Sequence, residues 1–295
     1  MRSPHLIWLN GDFLPADAAR LSIDDAAITS GVTVTERLRT FRHEPFLLQP
    51  HLDRLFESAK AAYIEPSLSN SKLGELVRDV IGRNAKLVPA NDDLTVSIWI
   101  SAGIAGRTTL CVSAIPIPAA RYVAGLRLAV PPTRALDLET LSPAIKTRNR
   151  LHWHIADRQA DAMEPGARAL LLDREGFVTE TAIANIFAVR SGRVRTPRRT
   201  RTLAGISQRY VFELAGRLDM DIAEADLTIE DLLAAEEVFC SGSVSCLQPV
   251  VRINQRAIGA GAPGLLYQRL LMSWSEAVGV EIAEQMRRMG RLRHE

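Results

Sequence analysis

The chain has 295 residues, of which 47% are hydrophobic and 24% are charged, with a formal net charge of +2. The composition is typical of a globular protein, and the length favours two domains. Nearly balanced charge gives no indication of nucleic acid as a partner, and the absence of a long apolar run excludes a membrane-spanning helix.

The N-terminal residues and the cysteines indicate a cellular compartment. The first fifteen residues become polar too early for a secretory signal. Cys111, Cys240 and Cys246 lie in or beside apolar segments without the spacing of a metal site. We therefore expect a cytoplasmic protein with reduced cysteines and no metal.

The first elements in the chain are strands. Leu6–Asn10 predicts a short strand that turns at Asn10-Gly11. Gly31–Phe41 is β-branched and alternating, which predicts a second strand. One face of this strand carries Thr33, Thr35, Arg37 and Arg39, and the other carries Val32, Val34, Glu36 and Leu38.

Helices and two further strands complete the first half. An apolar stripe predicts a helix from Pro50 to Tyr63, on which His51 and Arg54 are neighbours that could hold one anion or form a solvated edge. A second helix is expected to end near Leu87. Strands are predicted at 94–100 and 110–115, and the stiff segment 116–120 predicts a domain boundary after residue 118.

Lys146 precedes a predicted helix at about 149–163 and follows an apolar pair. A lysine that is partly removed from water has a lowered pKa and is a usable amine nucleophile. The alternative is an exposed loop lysine.

A lone carboxylate, Glu180, stands at the start of a strand-forming run that ends at Val189. A carboxylate at the mouth of a buried strand is costly unless a cationic or proton-bearing group meets it, and a protonated heteroaromatic nitrogen is one such group. The alternative is a solvated acid at a strand end.

Beyond Glu180, a basic loop at 193–201 leads to Leu203–Ser207, which opens a helix to about residue 218. Unpaired backbone N–H groups at such a helix start suit a phosphate, although an ordinary N-cap is the alternative. The turn 241–245 is a second candidate for holding an anion. A strand at 222–225, a Thr228 cap and one long helix at 265–286 are also predicted.

In this order the features resemble the class IV aminotransferases, which are pyridoxal-phosphate enzymes of fold type IV. The most specific match comprises 178–187 (VTETAIANIF), Thr196-Pro197 and 203–207 (LAGIS). The resemblance implies an α/β (α+β) protein with a small N-terminal domain at 1–118 and a larger C-terminal cofactor domain at 119–295 that contains a barrel-like sheet. It also implies pyridoxal 5'-phosphate between the domains, and a homodimer.

The resemblance also implies residue roles. Lys146 matches the lysine that forms the internal aldimine and moves the proton, and Glu180 matches the partner of the pyridine nitrogen. The remaining cofactor contacts that it implies are Arg54, Leu203, Ile206, Ser207 and Ser243. The substrate contacts that it implies are Thr35, Arg39, Arg107 and Val244.

Departures from the family pattern leave the branch open. Thr35 replaces a usual aromatic, and Ala102 replaces an arginine common in the D-amino-acid and lyase branches. Thr109 stands where D-amino-acid aminotransferases have a histidine. Arg39 could bind a carboxylate or form a structural ion pair.

Three functions follow. The first is transfer of an amino group between an amino acid and a 2-keto acid, of the branched-chain or D-amino-acid type. The second is a lyase of the aminodeoxychorismate type, indicated by Asn149-Arg150-Leu151. The third is a binding protein without catalysis, supported only by the five arginines within 193–201.

Overall fold

The computed structural model describes residues 5–118, 125–137 and 139–291, and it has the mixed α/β architecture that was predicted. Contacts divide the chain into two compact units. The first unit contains residues 1–118 and Ile145–Asn149, and the second contains 119–144 and 150–295. The last two residues of the predicted connector, 119 and 120, lie outside the described residues. Lys146 belongs by its contacts to the first unit, although its place in the sequence predicts the second.

The first unit contains a six-stranded sheet in the order β2-β1-β6-β5-β3-β4. Its strands are β1 (Leu6–Leu9), β2 (Asp12–Pro15), β3 (Thr33–Phe41), β4 (Glu44–Pro45), β5 (Leu94–Ile104) and β6 (Arg107–Pro116). Its helices are α1 (Ala26–Thr29), α2 (Leu48–Ala61), α3 (Asn70–Asn84) and a 3-10 turn at Ala85–Leu87. The Asn10-Gly11 turn joins β1 to β2 with both φ angles positive, at 51° and 115°, as the sequence predicts.

The alternation of β3 places one set of its side chains against α2. Val34 and Leu38 enter the hydrophobic core with Leu52 and Leu55 of α2. Glu36 lies on the same face of β3 and has no exposed surface. A charge at this position requires partners within the core.

Two residues of α2 provide the partners of Glu36. Arg54 donates from Nε to Oε1 (2.7 Å) and from Nη2 to Oε2 (3.0 Å), and His51 Nδ1 lies 2.7 Å from Oε2. Burial alone would raise the pKa of Glu36, but the charge of Arg54 and the contact with His51 outweigh it and hold this pKa well below its usual range. Burial lowers the pKa of His51 despite Glu36, so the neutral ring donates from Nδ1.

The second unit is built on a closed ring of six strands, which confirms the predicted barrel-like sheet. The ring follows the order β10-β13-β14-β7-β8-β9 and closes where β9 pairs with β10. Its strands are β7 (Leu126–Ala129), β8 (Arg168–Leu172), β9 (Val178–Thr181), β10 (Asn185–Arg190), β13 (Glu237–Gly242) and β14 (Cys246–Ile253). Three strands extend it, namely β11 (Arg193–Pro197), β12 (Ile222–Ala225) and β15 (Arg256–Ala257).

Strand β11 corrects the prediction of a basic loop. Ser191 and Gly192 have φ angles of 50° and 73° and form a two-residue turn between β10 and β11. On its other side β11 pairs in parallel with β12. Arginines therefore alternate along the first part of a paired strand, and only 198–205 forms a loop.

The helices of the second unit are α4 (Leu151–Met163), α5 (Ile206–Arg217), α6 (Ile229–Leu233), α7 (Leu265–Val278) and α8 (Ile282–Arg291). Thr228 caps α6 as predicted, in a reciprocal capping box with Asp231. The prediction of one helix over 265–286 was wrong, because Gly279 adopts a φ of 64° and ends α7. Throughout the described part of the chain, no helix has the length and apolar character needed to cross a membrane.

Replacement of Glu36 tests its buried contacts. Glu36→Gln should lower the free energy of unfolding by about 3–5 kcal/mol, because Arg54 would keep its charge in the core without a counter-charge. Urea unfolding at pH 7 measures this difference. The control Glu44→Gln changes an exposed acid next to β3 and should alter stability by about 0.5 kcal/mol or less.

The same pair of proteins has a pH signature. In the unfolded chain Glu36 has the ordinary glutamate pKa of 4.5, whereas its pKa in the folded chain is much lower. The stability contributed by Glu36 is therefore present above pH 4.5 and is lost as the pH falls below it. Glu36→Gln should therefore lose stability less steeply than the parent below pH 4.5. Equal slopes would contradict the contacts assigned to Glu36.

Candidate active site

Lys146 is held against β3 by its backbone. Its N–H donates to Ser58 Oγ of α2 (3.1 Å), and its carbonyl accepts from the N–H of Thr35 (2.9 Å). Thr147 forms a bridge with Val34, and the N–H of Arg148 donates to Thr33 (2.8 Å). The segment thus lies beside β3 like a short added strand, which fixes the lysine's Cα without using its side chain.

Burial separates Lys146 from the other lysines. The sequence contains four lysines, and Lys60, Lys72 and Lys86 are exposed whereas Lys146 is partly buried. Thr35, predicted to line the substrate site, is its direct backbone neighbour and donates its hydroxyl to Ile98 O (2.9 Å). The structure therefore brings Thr35 and Lys146 together.

The anion that His51 and Arg54 share within the first unit is the carboxylate of Glu36. Arg54 is only 7% exposed, and Glu36 orients its guanidinium through two hydrogen bonds. Of the two alternatives for these neighbours, the solvated edge is excluded by their burial, and the anion that they meet belongs to the chain itself.

Arg39 is a structural residue. It has no exposed surface, its Nη2 lies 3.6 Å from Asp93 Oδ2, and its guanidinium lies 4.1 Å from the centre of the Phe41 ring. Of the two roles suggested for Arg39, the structure supports the ion pair, so we remove it from the substrate contacts.

Arg107 and Thr109 differ in their surroundings. Arg107 is exposed at the start of β6, beside a pocket of about 530 Å³ that Trp8 and Ile104 also line. Thr109 is buried and donates to Asp25 Oδ2 (2.6 Å). Its hydroxyl therefore has a structural partner at the position where D-amino-acid aminotransferases have a histidine.

In the second unit, Glu180 and Leu203 lie together at the join of the ring. Glu180 is partly buried on β9, and its Oε1 accepts from the N–H of Leu203 (3.3 Å). Its Oε2 lies 3.4 Å from Asn185 Nδ2. The carboxylate therefore has fixed neighbours and is not the solvated acid of the alternative interpretation.

Asn185 is a site residue to which the sequence interpretation gave no role. It pairs across the sheet with both Glu180 and Ser241, and its Nδ2 also donates to Leu203 O (3.0 Å). A Cβ on Gly205 would lie 2.0 Å from Asn185 Oδ1, so a larger residue there would displace the Asn185 amide. The signal in the sequence is an amide side chain within an otherwise apolar strand.

The start of α5 has the features of a phosphate site. Ile206 and Ser207 are buried in its first turn, and no side chain caps its N-terminus at Gly205. Ser241 shares a face of the sheet with Asn185, and its buried Oγ has no hydrogen-bond partner among the described residues. This orphaned hydroxyl and the uncapped helix start fit a phosphorylated cofactor.

Ser243 and Val244 lie in the turn between β13 and β14, just beyond Ser241. Val244 is buried and Ser243 is partly buried. Ser241 of β13 pairs with Asn185 of β10, which contacts Glu180. The turn therefore lies at the same end of β13 as Asn185.

Every arginine of the basic segment faces a carboxylate. The pairs are Arg193 and Arg195 with Asp221, Arg198 with Asp226, Arg199 with Glu224, and Arg201 with Asp173, Glu175 and Asp226. The charge that suggested a nucleic-acid surface is thus neutralised within the chain, which removes the support for that function.

Structural contacts also account for the lyase-like residues. Arg150 donates to the carbonyl of Ala182 and its guanidinium lies 5.4 Å from the centre of the Trp153 ring. Asn149 packs against Gly31, where a Cβ would lie 3.3 Å from its Nδ2. Leu151 is 65% exposed. These contacts need no lyase chemistry to explain the residues.

Comparison with known proteins gives consistent matches over most of the chain. Residues 33–253 match the sequence profile of the family described as "Amino-transferase class IV". A putative branched-chain-amino-acid aminotransferase of Methanocaldococcus jannaschii is 30% identical over 90% of this chain and 93% of its own. The D-alanine aminotransferase of Bacillus licheniformis is 26% identical, over 94% of this chain and 99% of its own.

A solved structure agrees with these sequence matches. The branched-chain amino acid aminotransferase of T.th. with pyridoxamine 5'-phosphate has a TM-score of 0.85 at 27% identity, covering 95% of this chain and 96% of that one. The profile match extends over most of the chain, and the fold is of the same type. The chain therefore belongs to the class IV aminotransferases, a family of pyridoxal-phosphate enzymes.

Proposed function

We propose that this aminotransferase moves the amino group between a branched-chain L-amino acid and a 2-keto acid, using Lys146 and Glu180. The observation that carries the assignment of the site is the carboxylate of Glu180, which the Leu203 N–H and Asn185 amide hold beside the uncapped start of α5. A fixed carboxylate and a phosphate cradle are the two groups that a phosphorylated pyridine needs.

Each residue has a distinct task in this proposal. When bound, pyridoxal phosphate supplies an electron-accepting ring for the negative charge that develops at the substrate's α-carbon. Glu180 holds a proton at the ring nitrogen, which keeps the ring electron-accepting. Lys146 would hold the cofactor through its Nζ when no substrate is bound, and as a free amine it would accept the proton from the substrate's Cα.

The phosphate and the ring have separate contacts. Ile206 and Ser207 donate backbone N–H groups, and Ser207 its hydroxyl, to the phosphate at the start of α5. Ser243 supplies a further hydroxyl, and Leu203 packs on the ring. Arg54 supplies a charge for the phosphate, with Glu36 orienting its guanidinium.

The substrate class rests on the relatives and on one contact. The relatives from Methanocaldococcus jannaschii and T.th. are named for branched-chain amino acids. In this chain Thr109 stands where the D-amino-acid branch has a histidine, and its hydroxyl donates to Asp25. A contact made by that histidine is therefore missing here. Thr35 and Val244 are proposed to line the pocket for the amino acid's side chain, and Arg107 remains a candidate for its carboxylate.

A homodimer is proposed from the surface of the first unit. Ile23, Ile28 and Ile104 are 79%, 58% and 40% exposed. Val32 forms backbone hydrogen bonds both with α1 and with β5, the strand that carries Ile104. The three side chains therefore lie on one part of this unit. Exposed apolar side chains grouped in this way favour a protein partner, here a second copy.

A cytoplasmic location is proposed from the cysteines. The three cysteines are buried and form no disulfide. Burial raises the pKa of Cys111 and of Cys240 to about 12, so these two thiols are unreactive. Cysteines used only for packing fit a reducing compartment.

The test of the function is a half-reaction followed by visible absorption. L-leucine added to the cofactor-loaded protein should change the cofactor spectrum and release one keto acid per site, whereas D-alanine should not. A change with D-alanine alone would contradict the proposed substrate class. A spectrum that neither amino acid changes would contradict the proposed donor.

Borohydride reduction of the same loaded protein identifies the amine. Reduction should attach the cofactor mass to the peptide that contains Lys146, and Lys146→Ala should lose this label. The control Lys72→Ala removes an exposed lysine of the same unit and should keep the label. A label that survives in Lys146→Ala would refute its role.

Sedimentation equilibrium tests the dimer. The expected mass is twice that of the 32.5 kDa chain. Ile28→Asp should shift the protein towards the monomer, because a carboxylate would be buried in the interface. A parent protein that sediments as a monomer at micromolar concentration would contradict the dimer.

A further inference from the structure

We propose that Arg201 is a positioning residue that holds the ring and phosphate contacts of the cofactor site in one arrangement. The inference rests on the proposed function, because the groups concerned are Glu180, Leu203 and the start of α5. Arg201 lies in the basic segment 193–201 and is not one of the proposed cofactor contacts.

Arg201 differs from the other arginines of its segment in the number of partners. Its Nη1 donates to Asp173 and lies 2.9 Å from Glu175 Oε2, and its Nε donates to Asp226 Oδ1 (3.1 Å). Its side chain is only 19% exposed, whereas Arg193, Arg198 and Arg199 are 50–68% exposed. The guanidinium also lies 4.7 Å from the centre of the Phe177 ring.

Two of the three carboxylates lie in the turn that leads to Glu180, and the third lies at the sheet edge. Asp173 and Glu175 lie in the turn between β8 and β9, and Glu180 stands on β9. Asp173 also accepts from the N–H of Phe177 (2.9 Å), so a hydrogen bond within the turn holds the carboxylate that Arg201 contacts. Asp226 follows β12 at the edge of the extended sheet.

Arg201 itself lies in the loop that supplies the cofactor contacts. Leu203 follows it by two residues, and Gly205 and α5 come directly afterwards. The arginine therefore ties this loop to the turn that leads to Glu180. Asn185 holds the same loop through a separate contact, with the carbonyl of Leu203.

This arrangement sets the fraction of the protein that is ready to bind. Without Arg201 the loop would sample other positions, and the apparent dissociation constant rises in inverse proportion to the competent fraction. An arginine fork can bond several carboxylates at fixed angles, which the point charge of a lysine cannot do. Both Arg201→Gln and Arg201→Lys should therefore loosen the site.

The experiment compares cofactor affinity with stability. Pyridoxal phosphate is titrated into the cofactor-free parent, Arg201→Gln, Arg201→Lys and Arg199→Gln, and the thermal unfolding temperature of each is measured without cofactor. We expect the dissociation constant to rise about tenfold or more in both Arg201 variants. Arg199 lies in the same loop and pairs with the carboxylate of Glu224. The dissociation constant of Arg199→Gln should stay within about twofold of that of the parent.

A second reading separates positioning from general stability. The pH midpoint of the bound cofactor's absorption should shift in both Arg201 variants, because Glu180 would no longer be held at one distance from the ring. A structural role alone would lower the unfolding temperature and leave this midpoint and the affinity unchanged, which would overturn the proposal. If Arg201→Gln does not fold, Arg201→Lys decides by the same criteria. Failure of the parent to bind pyridoxal phosphate would instead refute the proposed function.

Discussion

The site depends on one amide side chain that joins a sheet to a helix start. Asn185 stands where the ring of the second unit closes, and it contacts both Glu180 and the loop that leads into α5. Its carboxamide lies so close to Gly205 that a Cβ there would displace it. Contacts between the closed sheet and the loop before α5 therefore help to set the position of the Glu180 carboxylate relative to the start of α5, which suits a preorganised electrostatic site.

The first unit positions its lysine by a different means. Backbone hydrogen bonds to Thr35 and Ser58 fix the main chain at Lys146. Strand β3 also carries Glu36 on its core face, where Glu36 contacts His51 and Arg54 of α2. The segment that contains Lys146 is therefore attached to a strand that is itself fixed to α2. Strand β3 therefore both stabilises the first unit and positions Lys146. The contacts with Arg54 and His51 offset the cost of burying the charge of Glu36.

Local signals in the sequence predicted the local structure well. The Asn10-Gly11 hairpin and the Thr228 cap depend on neighbouring residues, and both are present. Gly279 was overlooked inside an apolar stripe that continues across it, although its left-handed conformation ends α7. The family motif around 178–207 contains four of the predicted site residues, Glu180, Leu203, Ile206 and Ser207, which are close in sequence.

Contacts between distant segments could not be predicted in this way. The position of Lys146 within the first unit follows from pairing with β3, which lies over one hundred residues earlier. Arg39 looked available on a polar strand face, but Asp93 and Phe41 enclose it. The basic segment looked like an anion-binding surface because its acidic partners, such as Asp221 and Asp173, come from other parts of the sheet.

Proton exchange at the substrate's α-carbon tests whether Glu180 acts on the cofactor's ring nitrogen. The exchange of the substrate's α-hydrogen with deuterated solvent is followed by NMR in the cofactor-loaded parent and in Glu180→Gln. We expect Glu180→Gln still to bind pyridoxal phosphate but to exchange the α-hydrogen more slowly, by a factor of about one hundred or more. Equal exchange rates at equal cofactor occupancy would show that Glu180 does not act on the ring nitrogen.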